Sequence, residues 1–169
     1  MTKQLLRECL INMLQEKSLS AISVRELCSK ADINRSTFYD HYSDMYDFCN
    51  CLEQETIEQT MRYMEKRVRR TNQEDALTEL LVYIQDNANL FLTLLHRSGG
   101  FVRRIEENVY QIYAEYYHDI GREFTEEDKY RIEFNTAGAI RVIQSWLLKE
   151  NKQTPREVAK MCFSLSGKE

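Results

Sequence analysis

Four side chains on one short stretch, Arg35, Ser36, Tyr39 and His41, carry the most specific chemistry in the chain. A guanidinium, a hydroxyl, a phenol and an imidazole are hydrogen-bonding groups suited to the base edges and phosphates of a nucleic-acid groove. Between them, Phe38 and Tyr42 stand four residues apart, on one helical face, and are expected to pack inward on Ile33 and Leu27. The polar set is then left to face outward. Other chemistries lack their parts: there is no pair of histidines at i, i+4, no Gly-rich phosphate loop, and no Ser/His/Asp or Cys/His set at useful spacing. No enzyme activity, cofactor or metal is expected. The five cysteines, Cys9, Cys28, Cys49, Cys51 and Cys162, are scattered without a CxxC pair and read as reduced core residues.

Short, well-marked helices must position that polar set. Ser23-Val24-Arg25-Glu26 has the Ser-x-x-Glu form in which hydroxyl and carboxylate each satisfy an orphan backbone N–H, and the helix it opens lasts to Ala31. Asp32 stands where the chain must reverse; it tolerates the left-handed conformation better than most residues. Asn34 then caps a third helix through about His41, and Asp44 caps a fourth. Two helices of about eight residues joined by three or four is helix-turn-helix spacing. Ahead of them, Leu5, Leu6, Cys9, Leu10, Met13 and Leu14 form one stripe of a first helix over about 3–16.

The remainder of the 169 residues is also helical in pattern. One proline and five glycines leave too few turn residues for a sandwich or barrel. Leu, Ile, Val and Phe make up about a quarter of the chain, enough for a core. No apolar run lasts the roughly 18 residues that cross a bilayer, and no secretory signal opens the chain, so a cytoplasmic protein without a membrane partner is expected. The fourth helix turns basic over residues 62–70, read as cations complementing its C-terminal dipole or as a phosphate contact. Thr71 to Glu74 repeats the capping form before a helix over about 76–86. Further helices are expected over about 87–96, ended by Ser98-Gly99-Gly100, and over about 101–120, stopped at Gly121. The last two run from the Thr125 cap to about Glu150 and from Thr154-Pro155 to about Leu165. The tally is all-α, about nine helices.

The net charge of −4 does not favour phosphate binding, and residues 1–48 alone carry six basic against seven acidic groups. Any DNA contact must therefore come from particular side chains.

Residues 22–42, above all Ser36-Thr37-Phe38-Tyr39-Asp40-His41-Tyr42, resemble the DNA-binding signature of the TetR family of bacterial transcriptional regulators. The likeness covers about residues 3–50. Ala137 to Leu148 followed by Thr154-Pro155 looks like the tail of many members. The resemblance implies an N-terminal three-helix helix-turn-helix domain, residues 1–48, and a C-terminal helical ligand-binding and dimerisation domain, residues 49–169. It also implies a homodimer on a (pseudo)palindromic double-stranded operator, a small-molecule effector and action as a repressor, although an activator would look alike. An interaction protein of the same fold that has lost operator binding and acts through a protein partner is the alternative, motivated by the acidic balance and by Met45, which stands where a phosphate-bonding lysine is usual; Asp40 is a second departure, adding a negative charge on the reading helix.

By the same resemblance Arg35, Ser36, Thr37, Tyr39 and His41 touch DNA, with Lys3, Ser23, Arg25 and Asn34 as further contacts. Arg35 suits guanine; Tyr39 and His41 suit phosphates. For the effector pocket the candidates are Tyr63, Tyr83, Phe91, His96, Phe101, Tyr110, Tyr113, Tyr117, Phe134 and Trp146, whose spacing also fits ordinary core. The dimer interface is assigned to Gly138, Ile140, Ile143, Trp146 and Leu147 with Val158, Met161, Cys162 and Leu165.

Overall fold

A computed structural model describes residues 2–69, 72–97, 99–150 and 153–166. Among them are nine α-helices and no strand. They are α1 (Thr2–Glu16), α2 (Val24–Ala31), α3 (Arg35–Tyr39), α4 (Met45–Arg69), α5 (Gln73–Asp86), α6 (Ala88–Arg97), α7 (Gly99–Asp119), α8 (Glu126–Leu147) and α9 (Pro155–Leu165), with a 3₁₀ turn at Leu19–Ala21. The chain divides into two compact units, Met1–Thr56 and Ile57–Glu169. The division falls inside α4, because Phe48, Cys49 and Leu52 belong to the core of the first unit.

Local chemistry sets most helix starts. The Ser23 hydroxyl accepts from Glu26 N–H at 3.2 Å. The Glu26 carboxylate is taken chiefly by Lys17 Nζ, which holds it below the usual carboxylate range. Asp32 adopts φ 53°, ψ 46°, and the Ile33 N–H reaches back to the Cys28 carbonyl at 2.9 Å, so an aspartate occupies the left-handed site that glycine usually fills. Asn34 Oδ1 accepts from Ser36 N–H at 3.1 Å and starts α3. Asp44 Oδ1 accepts from Asp47 N–H at 2.8 Å and starts α4. Thr125 with Asp128, and Thr154 with Glu157, complete reciprocal capping boxes, the second with Pro155 in the first turn.

Four boundaries differ from the sequence reading. α3 closes at Tyr39, and residues 40–41 form a turn, because Asp40 N–H bonds to Ser36 O and His41 N–H to Phe38 O. α5 begins at Gln73 under an Asn72 cap; Thr71 lies outside the described residues. Gly99 and Gly100 open α7 instead of separating it from α6, occupying a first turn whose N–H groups need no intrahelical partner; Ser98 lies outside the described residues. α8 ends at Leu147. At the end of α7, Gly121 takes φ 66°, Arg122 N–H bonds to Tyr117 O and Gly121 N–H to His118 O, a Schellman stop.

In the first unit, α1 packs on α2 and α2 on α3. Their core holds Leu6, Leu10, Met13, Leu27, Phe38, Tyr42, Met45 and Phe48. Leu5, expected in the α1 stripe, is exposed, and Ile11 is buried in its place. In the second unit, α9 lies along α5, while α8 packs on α7 and α6.

Candidate functional site

The first candidate site is built by α2 and α3. Phe38 is fully buried, edge-on to Phe48 at 5.7 Å and 5.5 Å from Tyr42, and Tyr42 stacks obliquely on Phe48 at 4.5 Å. This aromatic anchor sets the rotation of α3. Arg35, Ser36, Tyr39 and His41 consequently face solvent, with Tyr39 56% exposed. Thr37 is half-buried. Among the described residues no carboxylate pairs with Arg25 or Arg35, both exposed, so both guanidinium groups are available to an external acceptor.

The other sequence candidates have mixed placements. Lys3 is exposed, its ammonium 6.0 Å from the centre of the Tyr42 ring. Ser23 and Asn34 are exposed, but each already spends a side-chain oxygen on its helix cap. Met45 is 6% exposed and joins the core, so that position offers no group to a phosphate. Two acids of this region are occupied: Asp44 caps α4, and Asp47 accepts from both the backbone N–H and the hydroxyl of Ser43, which holds its carboxyl below the usual range.

The second candidate site is a cavity of about 360 Å³ inside the second unit, lined from α4 to α9. Of the ten residues named from sequence, Phe91, Phe101, Tyr113, Tyr117 and Phe134 line it. Tyr63 stacks on Tyr83 at 5.3 Å away from the cavity wall. Tyr110 packs on Phe124 at 5.1 Å. His96 is exposed and bonds through Nδ1 to its own helix carbonyl, Leu92 O, at 2.7 Å. Trp146 is buried, and its Nε1–H donates to Gln153 O at 2.7 Å, tying α8 to the segment before α9. These last five are candidates by their aromatic or polar-tipped side chains, and residue type does not tell which neighbour each one meets.

Polar groups at the cavity are few. Asp128 is 2% exposed and is held by Thr125 Oγ1–H at 2.8 Å, Thr125 N–H at 3.2 Å, Arg122 at 3.0 and 3.1 Å, and Tyr117 O–H at 3.3 Å. The Thr125 hydroxyl bond, then its backbone N–H and the Arg122 charge, hold the Asp128 carboxyl below the usual range. Burial, then the Asp128 charge, push the Tyr117 phenol up. Arg131 pairs with Glu127 at 2.6 Å. Arg67, on the cavity wall, has a buried Nε–H with no hydrogen-bond partner. The sequence reading placed Arg67 in the basic run of α4 but found no signal for a cavity there. In the same run Arg69 pairs with Asp119 at 2.9 Å, and Arg70 lies outside the described residues.

The dimer candidates also divide. Trp146, Leu147 and Val158 are 2, 6 and 0% exposed within one chain, so no second copy can bury them further. Gly138, Ile140, Ile143, Cys162 and Leu165 line the cavity, with Leu165 71% exposed, and Met161 is 39% exposed.

Residues 71–168 match the family model TetR_C_8, a transcriptional regulator C-terminal region. The chain belongs to the TetR family. Solved structures agree on the fold. A TetR transcriptional regulator from Streptococcus agalactiae is 24% identical over 98% of this chain and 93% of its own, with a TM-score of 0.64. FadR of Bacillus halodurans, a fatty acid degradation regulator, is 16% identical over 98% and 94%, TM-score 0.70. FadR of Bacillus subtilis, solved with stearoyl-CoA, is 13% identical over 96% and 96%, TM-score 0.68. Among proteins of curated function none is a significant match. This TetR-family chain therefore has a transcriptional-regulator fold, with α2 and α3 as its helix-turn-helix. No described helix is long and apolar enough to cross a membrane, and no described cluster of His, Cys, Asp or Glu is arranged to hold a metal ion.

Proposed function

We propose that this protein is a cytoplasmic, non-catalytic repressor that binds a (pseudo)palindromic operator as a homodimer and answers to a small molecule held in residues 49–169. The observation that carries the DNA-binding part is the orientation of α3: Phe38 is locked in the core, so Arg35, Ser36, Tyr39 and His41 are presented together to solvent. Arg35 reads a guanine, Tyr39 and His41 hold phosphates, and Arg25, Lys3, Ser23, Asn34 and Thr37 complete the contact. Self-association is supported by apolar surface on α8 and α9: Tyr130 and Phe134 are 68% and 75% exposed, alongside Met161 and Leu165. Effector response is supported by the cavity within the second unit, lined largely by apolar side chains from α4 to α9.

Gel shift on the upstream DNA of its own gene tests the reading. Tight binding at low salt is expected, weakened by added salt. Arg35→Ala should cost about 1–3 kcal/mol and relax specificity at one base pair. Tyr39→Phe should weaken binding across sequences. The buried Met45 favours a second reading, a TetR-fold interaction protein without an operator. Sequence-blind binding unchanged by Arg35→Ala would support it and remove the first.

A further inference from the structure

The charges around the cavity are unevenly matched. Its walls are dominated by apolar side chains such as Met64, Leu80, Ile84, Phe101, Ile105 and Ile143. Three ionised residues reach the wall. Asp128, on α8, is saturated by Thr125, Arg122 and Tyr117. Arg131, also on α8, is neutralised by Glu127 and lies 3.9 Å from Asp128. Arg67, on α4, has no ion pair among the described residues; its guanidinium sits 5.5 Å from the Phe163 ring centre, and its Nε–H is buried without an acceptor. Arg67 as a whole is half-buried, and a buried donor left unsatisfied such as its Nε–H is costly.

We infer that the cavity takes an amphiphilic carboxylate, its tail against the apolar walls and its head group on Arg67. A carboxylate is the acceptor that a guanidinium fork fits best, and it supplies the missing bond and the missing charge together. A cavity of about 360 Å³ lies at the small end of ligand pockets and suits a medium-length chain, on the order of a dozen non-hydrogen atoms. A ten-carbon straight-chain carboxylate has that number. A cationic amphiphile has no counter-charge to meet here, because both carboxylates near the wall, Asp128 and Glu127, are already engaged.

The inference rests on the reading of the C-terminal residues as an effector domain, and the two are separable by experiment. Isothermal titration calorimetry on the full-length protein uses three probes, decanoate and decyltrimethylammonium below their micelle concentrations and 1-decanol below its solubility limit. Decanoate is expected to bind once per chain, with 1-decanol at least about tenfold weaker and the ammonium showing no saturable heat. Arg67→Gln should lower decanoate affinity by about tenfold to a hundredfold and leave 1-decanol within about twofold. Equal affinity for decanoate and 1-decanol in the unaltered protein would overturn the inference even if the variant fails to fold. So would an absence of decanoate binding, or a preference that survives Arg67→Gln. Operator release in the same titrations tells the two ideas apart. Selective decanoate binding with no DNA release supports the ligand chemistry and removes the effector reading. DNA release by 1-decanol as readily as by decanoate does the reverse.

Discussion

The phenol of Tyr117 donates to Asp128 Oδ1 at 3.3 Å, joining α7 to α8 at the cavity wall, and Arg122 covers the same ring at 4.4 Å while bonding the same carboxylate. One acid therefore closes the α8 cap, holds the turn after α7 and orients a cavity-lining ring. Asp128→Asn should lower the melting temperature at neutral pH. Its carboxyl is depressed in the folded chain, so its contribution is fully present above the unfolded value of about 3.9 and is lost as pH falls through the lower folded value. The gap between parent and variant in thermal melts should accordingly be widest near neutrality and close below about pH 4. A gap that stays constant down to acid pH would show that the charge is not the stabilising element.

Phe38 is the pin on which the orientation of α3 depends. Phe38→Ala removes a ring packed on Phe48, Tyr42 and Tyr39 and should cost about 3–5 kcal/mol. Hydrogen exchange reads this directly: amides within Met1–Thr56 should exchange faster, with the largest increase in α2 and α3. Protection unchanged in those helices would show that the aromatic cluster does not position the reading helix.

Asp32 holds a left-handed conformation that costs other L-residues roughly 1–2 kcal/mol. Asp32→Gly should be neutral or stabilising by up to about 1 kcal/mol, the relief of strain being partly offset by the greater freedom of glycine in the unfolded chain. Asp32→Val, with its branched Cβ, should destabilise by about 1–2 kcal/mol relative to the parent. Urea-denaturation midpoints give both signs. Equal midpoints for the glycine and valine variants would remove strain at this turn from the account.

The features legible in the sequence share one physical property: they are closed within four or five residues. A cap at Ser23, Asn34, Asp44, Thr125 or Thr154 is a bond between a side chain and the backbone two or three positions on, so residue type and spacing determine it. The burial of Phe38 and Tyr42 was readable for the same reason, because a spacing of four places both on one face. Periodicity identified a further apolar face at Tyr110, Tyr113 and Tyr117, yet it carries no record of which distant helix covers each ring. Only the tertiary structure assigned Trp146 to a bond with Gln153, paired Asp128 with Arg122 and Tyr117, and left the Arg67 Nε–H buried at a cavity wall without an acceptor. Whether a charged side chain is a solvated helix end or a desolvated donor depends on what the rest of the chain packs around it. In a helix of 25 residues such as α4, that surrounding changes from turn to turn while the sequence signal stays the same.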